Sequence, residues 1–187
     1  MRNLLIFLFI TMTGCLSVAC HATGSEAPAP DASSAFTIRE VMQSMVAPQA
    51  DSLWNAVSTS VTDKGVETKA PSNDEEWATM RHAAVTLAEA MNVVVMPGRK
   101  VARTGEHAKD PKLELEPEQI DALIAQDRAG FAKYAHEMQG AVAQAVKAID
   151  AKSADGLSTA GAAIDAACET CHKKYWYPND EKAQEQK

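Results

Sequence analysis

The sequence predicts an all-α domain, an antiparallel four-helix bundle, and three observations carry that prediction. From residue 36 onward, apolar residues recur at i, i+3, i+4 and i+7, the period of a helix with one buried face. No stretch alternates convincingly with period two, as a half-buried strand would. Two of the resulting helices are too long to bury a face alone, and four such elements cover one another most economically as a bundle.

The elements follow in order. A first helix carries Ile38, Val41, Met42 and Met45 on one stripe. Pro48 lies inside a pattern that resumes with Leu53, Trp54, Val57 and Val61, so a kink or break is expected near Val46, with a second segment through about Ser60. The next fifteen or so residues read as a loop. Ser72 and Glu75 have capping-box spacing before a second helix on which Trp77, Met80, Ala84, Leu87, Met91 and Val95 share a face until Pro97-Gly98. Residues 98 to 116 show no apolar period and read as a long surface connection. A short helix then runs from Glu118 to about Gln126, led in by Pro117. Asp127 has cap chemistry for a third long helix with Phe131, Tyr134, Met138, Val142, Ala145 and Ile149 inward. After Lys152-Ser153 the last helix carries Leu157, Ala160, Ile164, Ala167 and Cys168 toward Tyr175-Trp176-Tyr177, which Pro178 closes.

Composition narrows the function. The chain has 187 residues, 46% hydrophobic and 23% charged, which suits one soluble domain and excludes global disorder or a multi-span membrane protein. Lys+Arg 18 against Asp+Glu 25 gives a net charge of -7, and no long basic run offers a grip on a phosphate backbone, so nucleic acid is not an expected partner.

Residues 1–19 have the layout of a secretory signal peptide: Arg2, an apolar core from Leu4 to Ile10, then small residues. The apolar run is well short of the roughly 20 residues that span a bilayer. Cys15, after Met12-Thr13-Gly14, and Cys20, after Ser17-Val18-Ala19, both resemble the lipidated cysteine of a bacterial lipoprotein, and cleavage near Ala19 or Ala22 without lipid is the alternative. Residues 20–35 are small, polar and proline-bearing and read as a flexible tether that would let the domain stand off a membrane. The helical domain is expected over 36–178, with a polar tail at 179–187. The expected compartment is the periplasm, with or without a lipid anchor.

One stretch carries chemistry: Cys168-Glu169-Thr170-Cys171-His172. The spacing C-x-x-C-H is that of c-type haem attachment, in which two thiols bond the porphyrin vinyl groups and the adjacent imidazole reaches the iron. On a helix, residues three apart share a face, so both sulfurs reach one macrocycle. A thioredoxin-type redox pair would have a strand before the motif and no use for the His; a zinc half-site would need a second ligand pair. One motif implies one covalent haem c.

A C-terminal Cys-x-x-Cys-His-x-x-Tyr, here Cys168 to Tyr175, on the last helix of a four-helix bundle resembles the class II c-type cytochromes, the cytochrome c-prime and cytochrome c-556 group. The resemblance implies thioether attachment at Cys168 and Cys171 and His172 as proximal iron ligand. It also implies that the opposite side of the iron faces the first helix, where a Met gives a low-spin electron carrier and an apolar residue leaves an open site. Met42 is the candidate distal ligand, because it shares the Ile38 stripe, with Met45 second. In that group an Arg precedes the distal residue by four positions, which from Arg39 falls on Gln43. Core packing is the plain alternative for either Met. Members are often dimers through their first two helices.

Arg39, Lys173 and Lys174 are candidate partners for the haem propionates, since a carboxylate partly withdrawn from water needs a cation or a donor. Tyr175, Trp176 and Tyr177 are expected to wall the haem or seal the bundle end. His82, His107 and His136 are expected at the surface or in the core rather than on iron. Two functions follow. The first is a one-electron carrier between periplasmic redox partners, with His172 and Met42 on the iron; the second is a five-coordinate haem that binds nitric oxide or carbon monoxide. No distal His/Arg pair suits peroxidase chemistry, so the protein is not expected to be an enzyme.

Overall fold

The computed structural model describes residues 34–178. The signal peptide with Cys15 and Cys20, nearly all of the tether, and the polar tail lie outside the described residues. The described chain is mostly helical, in agreement with the all-α expectation, with one small hairpin as the departure.

Helix α1, Ile38–Val41, starts at Thr37, whose hydroxyl accepts the Glu40 N–H while the Glu40 carboxylate accepts the Thr37 N–H at 2.9 Å. This capping box satisfies donors that the first turn cannot. The helix widens into a π-helical turn over Met42–Val46, closed by the Ala47 N–H donating to the Met42 carbonyl, and continues as α2, Ala47–Trp54. The irregularity falls at the expected place. Pro48 has no N–H to give back along the helix, and its ring crowds the carbonyl four residues earlier, so the preceding turn loosens.

Beyond Trp54 the structure corrects the sequence expectation. The helix ends there instead of near Ser60, and strands β1, Ser58–Thr62, and β2, Gly65–Lys69, take the end of the expected helical segment and the first part of the expected loop. They pair antiparallel in the register Val61↔Val66, with the turn at Asp63-Lys64 and Gly65, which opens β2, at φ +120°, where a side chain would be strained. Ser, Thr and Val favour the extended backbone. Both faces of the hairpin are exposed, so no buried face imposed the alternation by which a strand is recognised.

Helix α3, Asp74–Val94, is capped by Asn73, one residue after the expected Ser72, through a 3.0 Å bond from the Glu76 N–H. Ser72 instead donates its N–H and hydroxyl to the Glu76 carboxylate. After a long loop come α4, Pro117–Gln126, α5, Arg128–Asp150, and α6, Ala154–Tyr175, with the Asp127 side chain accepting the Gly130 N–H at the start of α5 as expected.

Helix α2 packs on α3 and α6, α3 on α5, and α5 on α6, so each touches two neighbours around one core. Leu53, Leu87, Val142, Leu157 and Ile164 are its most completely buried large side chains. Leu87→Ala is expected to cost about 2–5 kcal/mol, the range for leucines in a close-packed interior. Chemical denaturation of the variant should show an earlier midpoint than wild type.

The loop between α3 and α4 is more constrained than a plain surface connection. Arg99 is buried and donates to the carbonyls of Val93, at 2.8 Å, and Phe36. The N–H groups of Ile38 and Arg39 donate to Lys100 and Val101, at 2.8 and 3.0 Å, and Leu115 N–H donates to the Trp176 carbonyl at 2.8 Å. The loop therefore ties the start of α1 to the end of α6. Among the described residues no helix is long and apolar enough to cross a membrane.

Candidate functional site

Cys168, Cys171 and His172 stand at i, i+3 and i+4 on α6, one face of the helix. All three line a cavity of about 470 Å³. That volume is within the range of small-molecule and cofactor sites, about 300–1,000 Å³. Its walls are largely apolar: Ile38 and Val46 from the N-terminal segment, Met91 and Val94 from α3, and Phe131 and Met138 from α5.

Both cysteines are free thiols. Burial pushes their pKa values up, to about 11 for Cys168 and about 12 for Cys171, with the neighbouring negative charge of Asp165 adding at Cys168. They are protonated at neutral pH, a state that resists casual oxidation. Burial lowers the pKa of His172, with Glu169 opposing, so its imidazole is neutral with a lone pair available. Among the described residues no hydrogen bond ends on its ring nitrogens. Trp176 stands edge-on to the imidazole, centroids 5.0 Å apart, and Tyr177 lies tilted at 5.9 Å while its hydroxyl donates to Glu169 at 2.5 Å.

Aromatic side chains line the cavity around the end of α6. Tyr175, only 3% exposed, meets the rings of Phe131 and Tyr134 edge-on at 5.3 and 5.9 Å, and its hydroxyl bonds Asp127 at 3.2 Å. Lys174 also pairs with Asp127, and its ammonium holds that carboxyl below the usual carboxylate range, with the Gly130 N–H assisting.

The sequence-derived candidates do not all meet at this cavity. Met42 lines it, as do Gln43 and Arg39; Met45 does not, and packs half-buried against the core. Arg39 donates to the His107 carbonyl at 3.3 Å and pairs with Glu106 at 3.5 Å. Lys173 is exposed, lies away from the cavity wall, and faces Glu169 one turn back at 3.8 Å. His82, His107 and His136 are exposed. Lys109 and Glu114, from the loop, line the cavity and were missed. A long aperiodic segment gives no local signal of what it covers.

The donor set fits a covalently held haem. Two free thiols and a neutral imidazole share one helical face, opening on an apolar cavity of suitable size with a sulfur donor, Met42, on a different element. A thioredoxin-type pair fits less well, because helix rather than strand leads into the motif. Zinc fits less well too, because among the described residues no group of three or more His, Cys, Asp or Glu gathers.

No curated protein and no solved structure matches the chain. Residues 111–176, from the end of the cavity loop through α4, α5 and α6, match the family model Cytochrome C'. The matched segment contains Cys168, Cys171, His172 and the aromatic side chains around Tyr175, and the family implies haem c. With the haem motif and the cavity it opens on, this match makes residues 111–176 similar to Cytochrome C', a class II c-type cytochrome family.

Proposed function

We propose that the protein is a periplasmic one-electron carrier with a single haem c, bonded through Cys168 and Cys171 in an antiparallel four-helix bundle and ligated by His172 and Met42. The observation that carries this reading is that Met42 and His172, from the first and last helical segments, line the same cavity. When bound, the haem supplies an iron that gains and loses one electron. His172 offers a neutral nitrogen, and Met42 a thioether, which favours the reduced state relative to a second nitrogen. The apolar walls exclude water, which limits reorganisation around a changing charge. The acidic chain suits transient docking to partners with a basic patch. Export, a lipid on Cys15 or Cys20, and pairing of two copies complete the reading.

The second reading is a five-coordinate haem that binds nitric oxide or carbon monoxide. It draws on the family, whose members bind such gases, and on Val46, Ala47 and Ala50, which put apolar surface beside Met42. Optical spectra of the ferric and ferrous protein, with and without carbon monoxide, separate the two. Sharp low-spin ferrous bands that ignore the gas are the expected result. A high-spin ferrous protein that binds the gas at once would overturn the carrier reading in favour of the second.

A further inference from the structure

We propose that Lys109, on the loop between α3 and α4, supplies a cation for a haem propionate, in the place that sequence reasoning gave to Lys173. The inference rests on the haem-protein reading above. A propionate at the edge of an apolar cavity is partly withdrawn from water and needs a cationic partner. Lys109 lines the cavity, and its ammonium has no ion pair or hydrogen bond among the described residues. The other nearby lysines are placed or engaged elsewhere: Lys173 lies off the cavity against Glu169, and Lys174 pairs with Asp127.

The position of Lys109 is built. Its backbone N–H donates to the Glu114 carboxylate at 2.8 Å, and the Asp110 N–H donates to the same oxygen at 3.4 Å. The Asp110 carbonyl accepts from Leu113 and Glu114, at 3.0 and 2.8 Å, which closes the turn. Leu115 then hangs that turn on the Trp176 carbonyl, four residues past the proximal histidine. Across the cavity the charged groups are Arg39 from α1, Glu114 from the same loop, and Asp165 and Glu169 from α6. Glu114 makes no ion pair with Lys109; its carboxylate is spent on the loop backbone and leaves the ammonium available.

The test is the reduction potential of the purified holoprotein, measured by spectroelectrochemistry at low and high ionic strength for wild type, Lys109→Gln, Lys109→Arg and Lys112→Gln. Lys112 is exposed on the same loop and does not line the cavity. A cation on a propionate favours the less positive ferrous iron, so Lys109→Gln is expected to lower the potential at both salt concentrations, with Lys109→Arg restoring it. Lys109 and Lys112 are both exposed, but Lys112 does not line the cavity, so Lys112→Gln should give a smaller shift that disappears in salt, which screens charges beyond roughly 10 Å at 0.1 M. A Lys109→Gln shift that is absent, or that matches Lys112→Gln and vanishes with salt, overturns the assignment. Far-ultraviolet circular dichroism of each variant excludes loss of fold as the source of a shift. A wild type without covalent haem in a pyridine haemochrome assay would overturn the haem reading itself, a failure distinguishable from that of Lys109.

Discussion

A chain carrying both Cys168→Ala and Cys171→Ala is expected to lose covalent haem and most of its stability together. Each attachment joins a thiol sulfur to a vinyl carbon of the porphyrin, with the thiol hydrogen added to the other carbon, and alanine has nothing to add. Acidified butanone should then extract all haem from the variant and none from wild type. The stability effect follows from the cavity. At about 24 cal/mol per Å³ of unfilled apolar space, a cavity of about 470 Å³ corresponds to about 11 kcal/mol if it stayed dry. That is comparable with the whole net stability of a domain, about 5–15 kcal/mol. Water admitted beside Arg39 and Lys109 reduces the figure without removing it. Thermal circular dichroism should accordingly show a broad, early transition for the double variant and a sharp one for wild type. Either single variant keeps one thioether and should keep its haem through denaturing electrophoresis. Covalent haem in the double variant would overturn the attachment assigned to these two cysteines.

The site was legible where chemistry is local and illegible where it is long-range. Cys168, Cys171 and His172 announce themselves because haem attachment demands fixed spacing within five residues, and any helix puts that spacing on one face. Asp127 and Pro117 were legible for the same reason, since caps and first-turn prolines act within a few residues of themselves. Asn73 stands where Ser72 was expected because both are adequate caps; here Asn73 accepts the Glu76 N–H and Ser72 donates to the Glu76 carboxylate. The hairpin was invisible because neither of its faces is buried, so the selection that writes period two into a strand is missing. Lys109 and Glu114 were invisible because their place at the cavity depends on bonds that span the chain: Arg99 to Phe36, Lys100 to Ile38, and Leu115 to Trp176. No local pattern encodes such contacts. The two lysines after the motif engage carboxylates in the structure, Lys173 with Glu169 and Lys174 with Asp127. Lys173 adjoins His172 in sequence, but in the structure it is exposed and does not line the cavity.

Met42→Leu is expected to convert a low-spin ferrous haem that ignores carbon monoxide into a high-spin one that binds it. Leucine is chosen over alanine because Met and Leu have similar volumes, and such exchanges in a core cost under about 1.5 kcal/mol. A spectral change then reports the lost sulfur, not a collapsed wall. Two comparisons make the assignment specific. Met45 packs against the core away from the cavity, so Met45→Leu should leave both spectrum and gas response unchanged. Gln43 lines the cavity beside Met42, and the family spacing from Arg39 points to it, so Gln43→Leu tests the alternative register directly. The π-helical turn that begins at Met42 gives a physical reason for such ambiguity. Its closing bond reaches back five residues instead of four, so a face counted in ordinary helical steps slips by one across it. If Gln43→Leu changes the spin state and Met42→Leu does not, the distal residue is one position later and the thioether is core packing. If Met42→Leu alone changes it, the iron in this chain has nitrogen and sulfur ligands, and electron transfer is what that pair of ligands serves.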